Sequence, residues 1–329
     1  MSGARPFTLC AAPALLAGLC WALAWPMPQD RIAGQILQSG LLSSIAPLMA
    51  VGALLSLACA LTRAPVWVWA PALLSYLLVL GPPPLGEVPQ GGFVVVSSNL
   101  DAFSEGPPGA AEALAALHAD VVITIERRVE EIPGLQRVAD NHGVPMKRPS
   151  HGTAIFCRPG LPCEGAVSPE FGSETFTMPL GLLRVPVPRA GGGSQPVCIL
   201  GLHAPPPAPL DPSGLLPYVQ RVAEAIVGGR MARQWGPCLP GDPVLAMGDF
   251  NHVPGTPASR LLRSSGLRRS EWGRAPWQAS WPAGGGWPNL PFFELDQALA
   301  GPELRVRSVR RHRIPGADHK ALRIVMEVR

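Results

Sequence analysis

The chain has 329 residues, 47% of them hydrophobic and only 15% charged, against about 25% charged in an ordinary soluble domain. The deficit is local: up to Gly86 only Arg5, Asp30, Arg31 and Arg63 carry charge, and the other 46 charged residues fall in the remaining 243. This excludes wholesale disorder and a single soluble globule of uniform character, and a net charge of +4 is not the strong positive balance of a dedicated nucleic-acid binder.

The apolar region contains three uncharged stretches, 6–27, 32–61 and 64–86, the last closing on Gly81-Pro82-Pro83-Pro84. About 20 apolar residues cross the hydrocarbon core of a bilayer, so the expectation is three transmembrane helices near 6–26, 41–61 and 65–80. The short connection Thr62-Arg63-Ala64-Pro65 would fold the second and third into a tight hairpin. Ala22-Leu23-Ala24 also fits a small-x-small cleavage site, and a signal peptide is the alternative for the first stretch; two spans would still follow. With Arg5 and Arg63 inside, three crossings put everything after Pro82 outside the cytoplasm. Residues 1–82 then form a membrane region and 83–90 a Pro-rich linker.

From Gly91 onward short β-rich runs alternate with Gly/Pro turns. Strands are expected at 93–98, 120–125, 152–157, 182–186, 197–203, 244–247, 293–298, 304–309 and 321–328, with helices at 110–118, 213–234 and 256–265. Their irregular order points to an α/β sandwich of mixed sheets rather than a doubly wound parallel sheet.

Polar and ionisable residues gather at the ends of these strands, as a site on the rim of a sheet requires. Asn99 and Asp101 flank Leu100, Glu126 closes the second strand and His203 ends another. Gly248-Asp249-Phe250-Asn251 follows an apolar strand, Asp296 sits in a late one, and Asp318-His319 precedes the last. Each has a plainer reading alone. An Asp-His pair is more often a turn, Glu126 beside Arg127-Arg128 can be a helix-entry carboxylate, and His203 a satisfied strand-end histidine. Gly-Asp-Phe-Asn can be an Asx-rich turn.

Taken in order, this set resembles the endonuclease/exonuclease/phosphatase superfamily over residues 91–329. The resemblance implies a DNase I-like four-layer α/β sandwich, here preceded by the three transmembrane helices. It also implies a hydrolase of phosphoester bonds dependent on Mg²⁺, with Mn²⁺ as a substitute. By the same resemblance Glu126 holds the metal, assisted by Asn99 and Asp101, with Asp318 in the metal-side network. Asp249 orients or deprotonates the attacking water, and Asn251 grips a phosphate oxygen. His319 stabilises the phosphoryl group while Asp296 holds its ring, and His203 contacts the phosphate from the opposite wall. Two neighbours depart from the family pattern: Gln297 after Asp296, and Ala317 before Asp318.

Apolar stretches followed by this domain, including His203-Ala-Pro-Pro-Pro, are similar to the teicoplanin-resistance type of membrane phosphoesterase. That implies a site on the outer face of the cytoplasmic membrane, the bilayer as partner, and a lipid-linked phosphate, pyrophosphate or phospholipid headgroup as substrate. The rival is an extracytoplasmic nuclease, for which Arg305, Arg307, Arg310, Arg311 and Arg313 could track phosphates; the bland reading of that run is a solvated edge strand. A non-catalytic membrane scaffold is the third reading, and the filled site positions argue against it. Outside the cytoplasm Cys157 and Cys163 could pair as a disulfide. Cys198 reads as a buried strand residue, and Cys10, Cys20 and Cys59 as small packing residues.

Overall fold

The computed structural model describes residues 4–24, 45–62, 65–66, 70, 91–101, 108–126, 129, 131–141, 152–168, 178–206, 215–227, 236–254, 257–270, 279–281, 283 and 293–329. In the apolar region, helix α1 (Ala4–Ala24) packs against α2 (Ile45–Leu61). The third expected span, 65–80, lies almost entirely outside the described residues, as does the linker 83–90. Among the described residues no helix is long and apolar enough to cross a membrane, so the expectation of three membrane-crossing helices is not met there. The 17 residues of α2 reach about 25 Å at 1.5 Å per residue, short of the roughly 30 Å of hydrocarbon.

The remainder builds two sheets. The strands are β1 (Phe93–Asn99), β2 (Val121–Glu126), β3 (Gln136–Asn141), β4 (Gly152–Cys157), β5 (Glu164–Ser168), β6 (Leu180–Pro188), β7 (Ser194–His203), β8 (Val244–Asp249), β9 (Arg268–Arg269), β10 (Asp296–Ala300), β11 (Leu304–Arg313) and β12 (Lys320–Val328). Helices α3 (Ala110–Ala115), α4 (Leu215–Val227) and α5 (Pro257–Ser264) complete the described elements. One six-stranded sheet runs β11-β12-β1-β2-β4-β3, the other β5-β6-β7-β8-β10-β9. Both are mixed, as the irregular strand order requires.

The strands are apolar on both faces because both faces are covered. Along β7, Val197 and Ile199 enter the core between the sheets, where they meet Val95, Ile123 and Ile324 from the opposite sheet. Cys198, Leu200 and Leu202 face the other way, against Tyr218 and Val222 of α4 and Leu262 of α5. The outer face of the first sheet carries a third core, in which Val96 and Val122 pack with Leu114 of α3. Helices therefore cover the outside of each sheet, and the layers stack as α/β/β/α. Each fully buried Val, Ile or Leu contributes about 1.5–3 kcal/mol.

Pairing directions decide where the chemistry falls. Strand β1 runs parallel to β2 and antiparallel to β12. In the second sheet β7 runs parallel to β8, which is antiparallel to β10. The C-terminal ends of β1, β2, β7 and β8 and the N-terminal ends of β10 and β12 thus share one end of the sandwich. Two disulfides tie the domain: Cys157–Cys163, and Cys198–Cys238 between β7 and the segment before β8. Cys198 is buried, as its strand predicts, yet it is bonded rather than free. Its partner stands 40 residues on, and no sequence spacing marks the pair.

Candidate active site

The site is assembled by register. His203, Asp249 and Asp296 stand side by side at the ends of β7, β8 and β10. From the facing sheet, Asn99 ends β1 and Glu126 ends β2. The buried Asn99 carboxamide joins the two sheets: Nδ2 donates to Glu126 Oε1 and to Asp249 Oδ2, each at 3.1 Å, while Oδ1 accepts the Asp101 backbone N–H. Glu126 Oε1 also lies 3.2 Å from His203 Nε2. Asp101, Glu126 and Asn251 all hold left-handed backbones, with φ of 58°, 68° and 48°. Side chains other than glycine seldom occupy that region, and such strain concentrates at functional sites.

Asp249 is fixed from two directions, since the Asn251 backbone N–H donates to Oδ1 at 2.8 Å. Burial raises the Asp249 pKa; His319 opposes the rise and Asp296 adds to it, while His203 and the Asn251 N–H pull it back. The side chain of Asn251 is itself steered, Nδ2 donating to Ala204 O at 2.7 Å; the same nitrogen carries a second hydrogen.

His319 stands among carboxylates. Its Nδ1 is 2.8 Å from Asp296 Oδ2, and its Nε2 lies 3.8 Å from Asp249 Oδ2 and 4.0 Å from Asp318 Oδ1. Burial works against a charged ring here, but Asp296, Asp249 and Asp318 outweigh it and push the pKa up to about 10. At neutral pH this favours the imidazolium, with Nδ1–H spent on Asp296 and Nε2–H left between the Asp249 and Asp318 carboxylates. Burial likewise lowers His203, and Glu126 and Asp249 outweigh it, so its pKa is raised.

The donor set suits a hard divalent cation. Asp318 Oδ1 is shielded from solvent and has no hydrogen-bond partner among the described residues. Burial raises the Asp318 pKa against the opposing His319 and Trp281, and Asp101 and Glu126 push it further up. Three carboxylates crowded in this way are relieved by an oxygen-preferring ion such as Mg²⁺. Glu126, His203 and Asp249 also bring ligand atoms within 4.8 Å of one another. Glu126 belongs to both sets. The structure thus brings all nine sequence-derived residues to one end of the sandwich: Asn99, Asp101, Glu126, His203, Asp249, Asn251, Asp296, Asp318 and His319.

Sequence reasoning missed the segment that braces this cluster. Ser280 Oγ accepts the backbone N–H groups of Leu295 and Asp296. Trp281 Nε1 donates to Asp318 Oδ2 at 3.0 Å, and its ring lies 6.4 Å from that of His319. Backbone bonds from Ala283 N to Asp318 O and from Lys320 N to Ser280 O close the brace. Residues 271–287 carry four tryptophans among Pro and Gly, and nothing in that pattern singles out Trp281. Gln297, one of the two departures noted above, ties β10 to the loop after Asp249 by donating to His252 O.

Comparison with known proteins agrees with this architecture. No curated protein matches the sequence. Among solved structures, an endonuclease/exonuclease/phosphatase family protein from Bacteroides thetaiotaomicron is 15% identical over 73% of this chain and 98% of its own, with a TM-score of 0.50. The APE2 catalytic domain of Xenopus laevis is 15% identical over 71% of this chain and 92% of its own, with a TM-score of 0.52. A mannosyl-6-phosphatase from Bacteroides thetaiotaomicron is 14% identical over 71% and 99%, with a TM-score of 0.49. At these identities the likeness is one of fold. The sequence model described as the endonuclease/exonuclease/phosphatase family matches residues 96–319, more than half the chain and a range that includes every site residue named above. The chain belongs to the endonuclease/exonuclease/phosphatase family, whose members hydrolyse phosphoester bonds and are generally dependent on a divalent metal.

Proposed function

We propose that the chain is a membrane-associated, Mg²⁺-dependent phosphoesterase whose substrate is a phosphoester at a bilayer surface: a lipid-linked phosphate, a pyrophosphate or a phospholipid headgroup. The observation that carries the chemistry is His319 set between Asp296 and Asp249, with Asn99 joining Asp249 to Glu126. Glu126 and Asp318 would hold the cation, with Asp101 beside them, and the cation supplies neutralisation of phosphoryl oxygen charge. Asp249, its carboxylate steered by Asn99 and Asn251, takes the proton of the attacking water. His319 donates Nε2–H to a phosphoryl oxygen as negative charge grows there, and Asp296 keeps the ring oriented and charged. Asn251 and His203 supply further donors to the phosphate.

Membrane association is supported by the burial pattern of the helix pair. Among the described side chains the pair buries Pro13 and Ala17 of α1 and Gly52 and Ser56 of α2, while Leu15, Leu19, Leu54 and Leu57 are exposed. A helix pair in water buries its leucines; small residues at the seam and leucines outside are the arrangement of helices packed in lipid. The two disulfides suit an oxidising compartment, which supports the catalytic domain lying outside the cytoplasm.

The nuclease reading rests on the arginines of β11. Arg311 is turned inward onto Asp296 O and Arg313 onto Ala283 O, while Arg305 and Arg307 share Glu327; four of the five guanidiniums are thus engaged within the protein, which weighs against a phosphate track. The purified full chain is expected to cleave bis-(p-nitrophenyl) phosphate in Mg²⁺, to stop in EDTA and to recover when Mg²⁺ or Mn²⁺ is restored. A parallel screen of lipid phosphates, pyrophosphates and duplex DNA tests the substrate. DNA cleavage with inert lipids would select the nuclease.

A further inference from the structure

One arginine of the β11 run is buried, and the chemistry described so far does not use it. The Arg311 side chain is only 5% exposed. It belongs to the first sheet and reaches the second: Nη2 donates to the backbone carbonyl of Asp296 at 2.5 Å and lies 4.0 Å from Glu294 Oε1. Glu294 is buried as well and accepts a hydrogen bond from Arg269 Nη2. Charged groups are thus taken out of water around one peptide unit, at a cost in desolvation that apolar packing would avoid.

That peptide unit stands where a sheet ladder ends. On one side β10 pairs with β8 along its whole length, Asp296 opposite Asp249. On the other side β9 covers only Leu299 and Ala300, and the Ser270 N–H reaches Ala298 O. At Asp296 no strand continues the ladder among the described residues, and side chains take its two backbone groups instead. Ser280 Oγ accepts the N–H at 3.1 Å, and Arg311 donates to the carbonyl. A buried backbone group needs such a partner, and a strand end without one opens first.

Arg311 and His319 belong to the same hairpin. Strands β11 and β12 pair from Leu304 opposite Val328 to Arg313 opposite Lys320, and Arg311 stands opposite Leu322, three residues past His319. One hairpin of the first sheet therefore holds Asp296 of the second sheet twice, His319 Nδ1 at the carboxylate, 2.8 Å away, and Arg311 at the carbonyl. We propose that Arg311 is a positioning residue: by pinning the Asp296 peptide to the hairpin that carries His319, it fixes carboxylate against imidazole across the gap between the sheets. The inference rests on the reading above in which Asp296 orients His319, and adds the residue that orients Asp296. Glu294 draws the guanidinium over the carbonyl, and the planar fork of arginine meets both partners where the point charge of lysine would not.

The test is the proton resonance of the His319 Nδ1–H in the full chain, isotope-labelled at histidine nitrogen and assigned by its loss in His319→Gln. A ring proton shared with a carboxylate lies downfield of an ordinary imidazole N–H. Arg311→Met is expected to move this signal upfield and broaden it, with the His118 signals unmoved, and Arg311→Lys to fall between Met and wild type. Glu294 keeps Arg269, so the Met variant strands no carboxylate. On bis-(p-nitrophenyl) phosphate, kcat should fall about tenfold with KM unchanged. Adding Arg311→Met to Asp296→Ala should cost nothing further, because Arg311 acts through Asp296. An unmoved His319 signal in folded Arg311→Met overturns the proposal, as do penalties that simply add. If Arg311→Met does not fold, a wild-type signal in Arg311→Lys overturns it by reducing Arg311 to a stability role. The proton signal needs no turnover, so an inactive wild type would defeat the functional reading and leave this test in force.

Discussion

His319 draws its protonation state from three carboxylates on three different elements, so its chemistry is a property of the assembled end of the sandwich rather than of any one strand. Asp249→Asn keeps the size of the side chain and removes the proton acceptor; kcat on bis-(p-nitrophenyl) phosphate should fall roughly 10²- to 10⁴-fold, with folding unchanged by circular dichroism. Full activity in that variant would remove Asp249 from the role of base. Trp281→Phe keeps an aromatic ring beside Phe293 and His319 but removes the N–H that fixes Asp318. A hydrogen bond to a charged group contributes about 1.5–3 kcal/mol, so activity should drop at least about tenfold and the Mg²⁺ concentration for half-maximal rate should rise. An unaltered Mg²⁺ titration would reduce Trp281 to packing. The nine candidates that the structure gathers at one end were legible because each is a polar group closing an apolar run or lying in a short polar turn beside one. Trp281, Ser280 and His252 were not, since their contacts are made by residues distant in sequence.

Elements tell the same story in their own terms. Strands such as β2, β4 and β8 could be read from their short, largely apolar runs, because both their faces are buried. Strand β3, Gln-Arg-Val-Ala-Asp-Asn, could not, being a polar edge strand with a bulge. Strand β11 extends four residues beyond expectation because Arg310 to Arg313 are held by pairing with β12 rather than by apolar content. Gly248, at φ 143°, pairs with Leu202 of β7: a Cβ there would overlap the Leu202 carbonyl, which is backbone and cannot step aside. Gly248→Ala should cost about 3 kcal/mol, the upper end for overpacking, and displace Asp249, seen as a lower Tm together with lost activity; a wild-type Tm would contradict the close approach. The disulfides differ in leverage. Closing a 40-residue separation restrains the unfolded chain by about 4 kcal/mol, against about 2 kcal/mol for the six-residue separation of Cys157–Cys163. Cys198→Ala/Cys238→Ala should therefore lower Tm more than Cys157→Ala/Cys163→Ala, and thiol titration of the unfolded wild type should count three free thiols without reductant and seven with it.

At the scale of the whole molecule, low charge density makes stability depend on a few buried titrating groups, and two histidines bound it from opposite sides. His252, buried beside Phe250 with Nδ1 3.4 Å from Val253 O, has its pKa lowered by burial to about 4, against only a partial pull upward from that carbonyl. The unfolded chain then binds a proton near pH 6.5 that the folded chain refuses, so stability declines as pH falls from about 6.5 to 4, by on the order of 3 kcal/mol in full. His319 acts in reverse. With its folded pKa raised to about 10, its contribution is complete below pH 6.5 and is lost as pH rises through the folded value. The metal-free protein should melt highest just around neutrality, with both limbs visible in Tm measured from pH 4 to 10 in EDTA. His252→Phe retains an aromatic ring next to Phe250 and carries no proton, so its Tm should fall less than that of the wild type between pH 6.5 and 4. Carboxylates that titrate in the same range are common to both proteins and cancel in the difference. Parallel acid limbs in wild type and variant would mean that His252 takes up its proton without unfolding the loop that ties Asp249 to β10, and that the acid limb does not come from His252.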